Sequence, residues 1–274
     1  MAVFGFQGKD VYYETYGEGR PIIVLNGIMM STASWKEFIE PFSAANQLIL
    51  VDFLDQGQSA KMVGEKPYTQ ELQVDLVAAL LDHLGLEKTT VLAISYGGEV
   101  ALQFVLKYPE KVDRLILFNT TPATGNWLRD IGEGWNRAVD NAEAYYYTTI
   151  PVIYSPKFYV GKSDWMDNRR KVLTEGAFNN KEFLDAMVRL THSAENYDVT
   201  DRLSEIQCPT LVISCQQDYL TPVEEQQKIV AGIPNSQYVI VPGSGHASMY
   251  EQPVLFSSLT LGFANNVKLE YNIV

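Results

Sequence analysis

Residues 90–104 constrain this chain more than any other stretch. Thr90-Val91-Leu92-Ala93-Ile94 is an apolar, β-branched run that reads as a buried strand. It passes directly into Gly98-Glu99-Val100-Ala101-Leu102-Gln103-Phe104, whose pattern is helical. The link, Ser95-Tyr96-Gly97, is so short that the chain must turn sharply. Small residues stand two before the serine, at Ala93, and two after it, at Gly97, where bulky side chains would collide with the packing. A serine in such a strand-to-helix turn has the form of a nucleophile elbow. Its hydroxyl is held out of the sheet at a helix N-terminus, where partial positive charge favours an oxyanion. The plainer alternative is an ordinary turn with Ser95 as helix N-cap.

A serine nucleophile on this frame needs an acid and then a histidine further along the chain. Pro209-Thr210-Leu211-Val212-Ile213-Ser214 reads as a buried strand, and Asp218 follows just past its end. Gln237-Tyr238-Val239-Ile240-Val241 reads as another strand, followed by Pro242-Gly243-Ser244-Gly245-His246. The glycines of that loop leave room for an imidazole to swing toward Ser95. The chain has three histidines. His83 closes an amphipathic helix, where a structural contact accounts for it; His192 follows Met187-Val188-Arg189-Leu190-Thr191 and could touch substrate, but a structural role is the plainer reading. Asp113 is a rival acid, but it begins its strand and so belongs at the opposite sheet edge. Taken singly, Asp218 could be an Asx cap and His246 a loop residue; the joint order is what carries the reading.

With these segments in view, the chain resembles the α/β-hydrolase superfamily over nearly its whole length. Pro21-Ile22-Ile23-Val24-Leu25-Asn26-Gly27-Ile28 resembles the strand leading to the family's His-Gly-x oxyanion segment, with Asn26 in the His position. Asp52-Phe53-Leu54-Asp55-Gln56-Gly57-Gln58-Ser59 resembles the loop Asp-x-x-Gly-x-Gly-x-Ser, with Asp55 in the first Gly position. Asn26-Gly27, Thr32-Ala33-Ser34-Trp35 and Gly57-Gln58-Ser59 are similar to a narrower branch that contains the acyltransferase joining hydroxyacyl chains into rhamnolipid precursors. The resemblance implies an α/β-hydrolase fold: a mostly parallel eight-stranded sheet flanked by helices, with a helical cap insertion. It implies a core of residues 1–121 and 202–274 and a cap of residues 122–201. It also implies Ser95, His246 and Asp218 as nucleophile, base and acid, with the backbone N–H groups of Ile28 and Tyr96 as the oxyanion hole.

The rest of the sequence agrees with an α/β domain. Hairpin and buried-strand patterns occupy residues 1–25, with Gly17-Glu18-Gly19 read as a hairpin turn. A short helix is expected over Phe38–Ala45, a strand over Leu48–Val51, a helix over Thr69–Leu84 and a strand over Val112–Phe118. Strands alternating with helices imply a parallel sheet covered on both faces. From Pro122 to Asp201 the alternation stops and large aromatics accumulate. Most should form the cap's own core. A minority, with Trp127, Trp135 and Tyr159 as candidates, should face the cleft as an apolar acyl pocket. No charged recognition feature stands out there, and the cap should be weakly pinned and able to gate access.

A net charge of −12 disfavours nucleic acid and anionic membranes as partners. No apolar run reaches membrane-spanning length, and the N-terminal residues lack the form of a secretion signal. A cytoplasmic location is therefore expected. Cys208 and Cys215 bracket a strand and should be about 23 Å apart. That is too far for a disulfide. No metal-ligand spacing or dinucleotide fingerprint occurs, so no cofactor is expected. The expected partner is a small-molecule acyl ester or thioester. Three activities fit this pattern: hydrolysis of that acyl group, its transfer to a hydroxyacyl acceptor, and ligand binding without chemistry.

Overall fold

The computed structural model describes residues 2–266. Eight strands make one sheet: β1 (Ala2–Phe6), β2 (Lys9–Tyr16), β3 (Arg20–Leu25), β4 (Asn46–Val51), β5 (Thr89–Ile94), β6 (Val112–Phe118), β7 (Thr210–Cys215) and β8 (Ser236–Val241). Their spatial order is β1-β2-β4-β3-β5-β6-β7-β8. Strands β3 to β8 run parallel, while β2 is antiparallel to both β1 and β4.

Side-chain alternation along the strands explains the layering. Ile23, Leu25, Val91, Ala93, Leu115, Leu117 and Val212 pack on one face. That face is covered by α2 (Glu71–His83), α3 (Tyr96–Lys107) and α9 (Val223–Gly232). Ile22, Val24, Leu92, Ile94, Ile116 and Phe118 pack on the other face. There they meet the 3-10 turn Thr32–Phe38, the short α1 (Ile39–Ser43) and α11 (Pro253–Ala264). A sheet buried on both faces needs continuous apolar strands, which is why β5 and β7 carry no exposed position.

Between β6 and β7 the chain leaves the sheet as five helices: α4 (Asn126–Ala138), α5 (Ala142–Ile153), α6 (Pro156–Gly161), α7 (Ser163–Glu175) and α8 (Lys181–Ser193). A bridge between Ala123 and Asp198 closes their base. Trp135, Tyr145, Tyr146, Tyr154, Met166 and Phe178 form their own buried cluster. A further short helix, α10 (Ser248–Glu251), follows the His246 loop.

Two expectations are corrected. Gly17-Glu18-Gly19 is not a hairpin turn, because β4 lies between β2 and β3. The two-residue hairpin turn is Gln7-Gly8, both at positive φ, between β1 and β2. Nor is the helical insertion weakly pinned. Arg189 of α8 forms a bidentate ion pair with the fully buried Asp55 carboxylate. Tyr96 and Ser193 hydroxyls lie 2.8 Å apart, and Ser155 donates from both N and Oγ to Glu251.

The substitutions within the two family segments have local reasons. Asp55 sits at φ +72°, a conformation glycine adopts freely and Asp tolerates better than most residues. Asp55 therefore keeps the turn and adds a carboxylate for Arg189. Asn26 is buried, donating to Val51 O at 2.8 Å and accepting from Trp35 Nε1 at 2.7 Å. It ties the segment after β3 to β4 and to the Thr32–Phe38 turn.

Candidate active site

Ser95 lies between β5 and α3 with φ +55° and ψ −124°, a strained combination for a residue with a side chain. The surroundings hold it there. Ser95 N donates to Phe118 O at 3.0 Å, and Thr120 Oγ1 donates to Ser95 O at 2.8 Å. Its side chain makes no capping bond to α3, so the plain N-cap reading does not describe it. Gly97 is required by close approach: a Cβ there would stand 2.2 Å from Leu25 O. Ala93 is fully buried, and its methyl group is accommodated inside the sheet layer.

Asp218 and His246 meet beyond the ends of β7 and β8. Asp218 Oδ2 is 2.8 Å from His246 Nδ1, and both side chains are buried. Asp218 Oδ1 accepts from the backbone N–H groups of Leu220 and Thr221, each at 2.9 Å. The Thr221 hydroxyl donates to Oδ2 at 2.9 Å. The carboxylate is thus held in one orientation against the imidazole, and Asn119 Nδ2 fixes His246 O at 2.7 Å. Ser95 and His246 line one cavity, and Ser95 Oγ has no hydrogen bond among the described residues. The glycine at 245 does not serve imidazole movement: its missing Cβ leaves space for the backbone of Tyr154 and Ser155, 2.4 Å away at the nearest. Asp113 is exposed at the start of β6 and paired with Arg114, at the far edge of the sheet.

The segment after β3 lies over the serine. A Cβ on Gly27 would be 3.5 Å from Ser95 Cβ. Gln56 Nε2 donates to Gly27 O at 2.9 Å and Ile28 O at 3.3 Å. In a trans peptide the N–H points opposite to the C=O, so anchoring Gly27 O turns the Ile28 N–H away from Gln56. Neither Ile28 N nor Tyr96 N donates to another backbone group among the described residues.

Two cavities open on Ser95. The larger, about 290 Å³, runs beneath the insertion and is lined by Met29, Ile150, Ile153, Leu173, Phe178 and Phe183 among others. The smaller, about 100 Å³, lies between the start of α3 and helices α4 and α8. Ile28, Ser95, Trp135 and Leu220 border both. Of the aromatic candidates, only Trp135 lines a cavity. Trp127 is 61% exposed with its indole N–H on Tyr219 O, and Tyr159 packs beside Tyr146.

The sequence reading missed three groups. Arg169 of α7 lines the larger cavity, its guanidinium 5.2–5.8 Å from the ring centres of Tyr154, Trp165 and Tyr250. A cation therefore does stand in that pocket. Gln56 carried no signal, because its role depends on a contact across the fold. Glu99, one turn beyond Ser95 on α3, lines the smaller cavity, and burial pushes its carboxyl up to about 8. Its spacing from Ser95 was the available clue. Burial likewise pushes the Cys215 thiol up to about 11, which makes it a packing residue. Both cysteines are free. Among the described residues no cluster of three or more His, Cys, Asp or Glu could hold a metal ion, and no helix is long and apolar enough to cross a membrane.

Comparison with known proteins places this geometry in context. The sequence model of the alpha/beta hydrolase fold matches residues 20–253. MGS-M2, an alpha/beta hydrolase enzyme from a Medee basin deep-sea metagenome library, is 47% identical with a TM-score of 0.96, covering 99% of this chain and 100% of its own. A protein with the provisional name carbamate hydrolase RutD, from Azorhizobium caulinodans, is 27% identical over 94% of this chain and 96% of its own. A thermophilic esterase from Thermogutta terrifontis is 26% identical with a TM-score of 0.80, covering 95% of each chain.

Proposed function

The chain belongs to the alpha/beta hydrolase fold family, and from that membership we propose that it is a serine hydrolase of carboxylic esters or thioesters with an apolar acyl group. The observation that carries this reading is the Asp218–His246 contact of 2.8 Å, with His246 lining the same cavity as a serine on a strained turn. His246 accepts the Ser95 proton as Oγ attacks the acyl carbonyl carbon. Asp218 orients the imidazole and stabilises its charged form. The N–H groups of Ile28 and Tyr96 receive the oxyanion. When the tetrahedral intermediate collapses, the bond to the alkoxy or thiolate group breaks and His246 returns the proton to it. Water, activated by the same imidazole, then releases the acid and restores Ser95. Residues 122–201 act in this reading as a cap that walls the acyl pocket.

The relatives that hydrolyse other bonds share the fold and carry other names, so the ester preference rests on this chain's own site. Transfer of the acyl group to a hydroxyl in place of water uses the same acyl-enzyme. The test is labelling by a fluorophosphonate together with turnover of p-nitrophenyl esters, in the natural protein and in Ser95→Ala. Labelling and turnover that both vanish in the variant support the proposal. A natural protein that neither labels nor turns over any ester is a ligand-binding member of the fold. Products from an added alcohol that outpace acid release would assign acyl transfer.

A further inference from the structure

We infer that the smaller cavity is the subsite for the alcohol portion of the ester, and that it takes a short, uncharged group carrying a hydroxyl, bound by Glu99. The inference rests on the serine-hydrolase reading above. An ester carbonyl over Ser95 sends its acyl and alkoxy substituents in different directions, and two cavities diverge there, sharing Ile28, Ser95, Trp135 and Leu220. The larger is lined mainly by apolar side chains and suits the acyl chain. The smaller is also walled mostly by apolar groups, among them Ile28, Leu128, Trp135 and Leu220, but Glu99 on α3, Asn136 on α4, and Thr191 and His192 on α8 bring polar side chains into it.

Glu99 is the unusual member. It is 4% exposed, and Gln70 Nε2 donates to its Oε2 at 2.6 Å. Nothing in the acyl-transfer steps uses it, yet burying a carboxyl that has no cationic partner is costly. Burial pushes its titration up to about 8, which favours the protonated form at neutral pH. A neutral carboxyl both donates and accepts, which is the complement of a hydroxyl. The groups facing it from neighbouring elements are Gln70 before α2, Tyr96 on α3, Tyr197 just after α8, and His192 on α8. At the rim, Arg129 is engaged by Asn126 Oδ1 and Thr124 O, and Glu133 and Glu195 supply negative charge. That rim disfavours an anionic alcohol, and Glu133 is already paired with Arg137.

Propyl and 2-hydroxyethyl esters of one acid have alcohol groups of the same heavy-atom count and test the inference directly. The ratio of their kcat/KM values is measured in the natural protein, in Glu99→Gln and in Glu99→Leu. A ratio within one preparation is independent of how much of it is folded. The natural protein should favour the 2-hydroxyethyl ester ~3- to 10-fold over Glu99→Leu, the effect of one hydrogen bond between neutral groups. Glu99→Gln should keep part of the preference. Above pH of about 8 Glu99 ionises and becomes a pure acceptor for the hydroxyl, so the natural ratio should change with pH, while that of Glu99→Gln stays flat. If Glu99→Leu does not fold, Asn136→Leu takes its place, and a lowered ratio is again expected. A ratio unchanged by these substitutions, or an altered acyl-length profile in place of it, overturns the inference while ester turnover and fluorophosphonate labelling leave the serine-hydrolase reading standing. Loss of labelling in the natural protein would remove both.

Discussion

The sheet and the helical insertion wall the same cavity, but they supply different kinds of order. On the sheet side, Ser95, Asp218 and His246 stand on short loops just past strand ends, held by single hydrogen bonds to or from the main chain: Ser95 N to Phe118 O, the Leu220 and Thr221 N–H groups to Asp218, and Asn119 Nδ2 to His246 O. On the insertion side, the lining residues are held by side-chain packing among helices and by a few ties such as Arg189 to Asp55. Backbone-fixed groups have positions set to a fraction of an ångström, which proton transfer needs. Packed side chains tolerate exchange of shape and volume, which suits substrate selection. Substitutions on the sheet side should therefore change rate by orders of magnitude, and those on the insertion side should mainly move specificity or stability.

The largest expected effect tests the sheet side at its centre. Ser95→Ala should lower ester turnover by roughly 10⁴–10⁶ with the fold intact, as read by steady-state assay and circular dichroism. Near-normal turnover in a folded variant would remove Ser95 from the chemistry. Asp218→Asn should cost roughly 10²–10⁴, because the imidazole loses its charge partner and its preferred tautomer. Asp113→Asn is the control at the opposite sheet edge. A severe loss at 113 with a mild one at 218 would reverse the assignment of the acid.

Gln56 lies where the two kinds of order meet. In the proposed serine-hydrolase reading it is a positioning residue, acting through the Gly27–Ile28 peptide that it anchors. Gln56→Met keeps the volume and removes the donor. A misdirected oxyanion N–H should lower kcat by ~10–10² with KM little changed, below the loss for removing such a donor outright. A change confined to KM would mean that Gln56 shapes binding only.

The same contrast decides what was legible in the sequence. The Ser95, Asp218 and His246 segments could be read because each is a local pattern: an apolar strand, then a turn whose small or polar residues have a stereochemical reason. The parallel direction of the strands could be read, because alternation with helices implies it, but their spatial order could not. The insertion could be recognised only as a break in that alternation. Helices α4 and α8 are amphipathic, but their apolar side meets both the cavities and the insertion's own core, so periodicity does not tell a residue facing one from a residue facing the other. Trp135, Trp127 and Tyr159 looked equivalent as sequence and differ entirely in place. Gln56 was hidden for the related reason that its partners lie tens of residues away, and Arg169 because no local pattern shows that it lines the cavity. The glycine-rich loop before His246 misled in detail, since Gly245 makes room for the insertion's backbone.

The tie between the two regions gives a smaller effect. Asp55→Gly keeps the positive-φ turn but leaves the Arg189 guanidinium, 25% exposed, without its carboxylate. Tyr68 and the Met62 N–H also lose their acceptor. Stability should fall by ~1–3 kcal/mol, less than for a fully buried pair because Arg189 reaches solvent. Chemical denaturation measures it, and Asp55→Gly combined with Arg189→Leu should recover part of the loss. Equal stability of the natural protein and Asp55→Gly would mean that the insertion is held by its apolar contacts alone.

The smallest effect per step probes the insertion's selectivity. In a series of p-nitrophenyl esters from acetyl upward, each methylene that enters the larger cavity should contribute up to ~0.8 kcal/mol, or roughly fourfold in kcat/KM. The gain should stop where the cavity ends. Trp135 borders both cavities, so Trp135→Ala should widen the neck and flatten or shift this profile. Trp127, exposed and outside both, should leave the profile unchanged when replaced by Phe. A profile that moves with Trp127 and not with Trp135 would mean the insertion adopts another arrangement over the bound substrate. A rate that falls steadily from acetyl onward would show that the aromatic cluster is packing alone. Selectivity would then belong to the sheet side, and the division of labour between the two regions would fail.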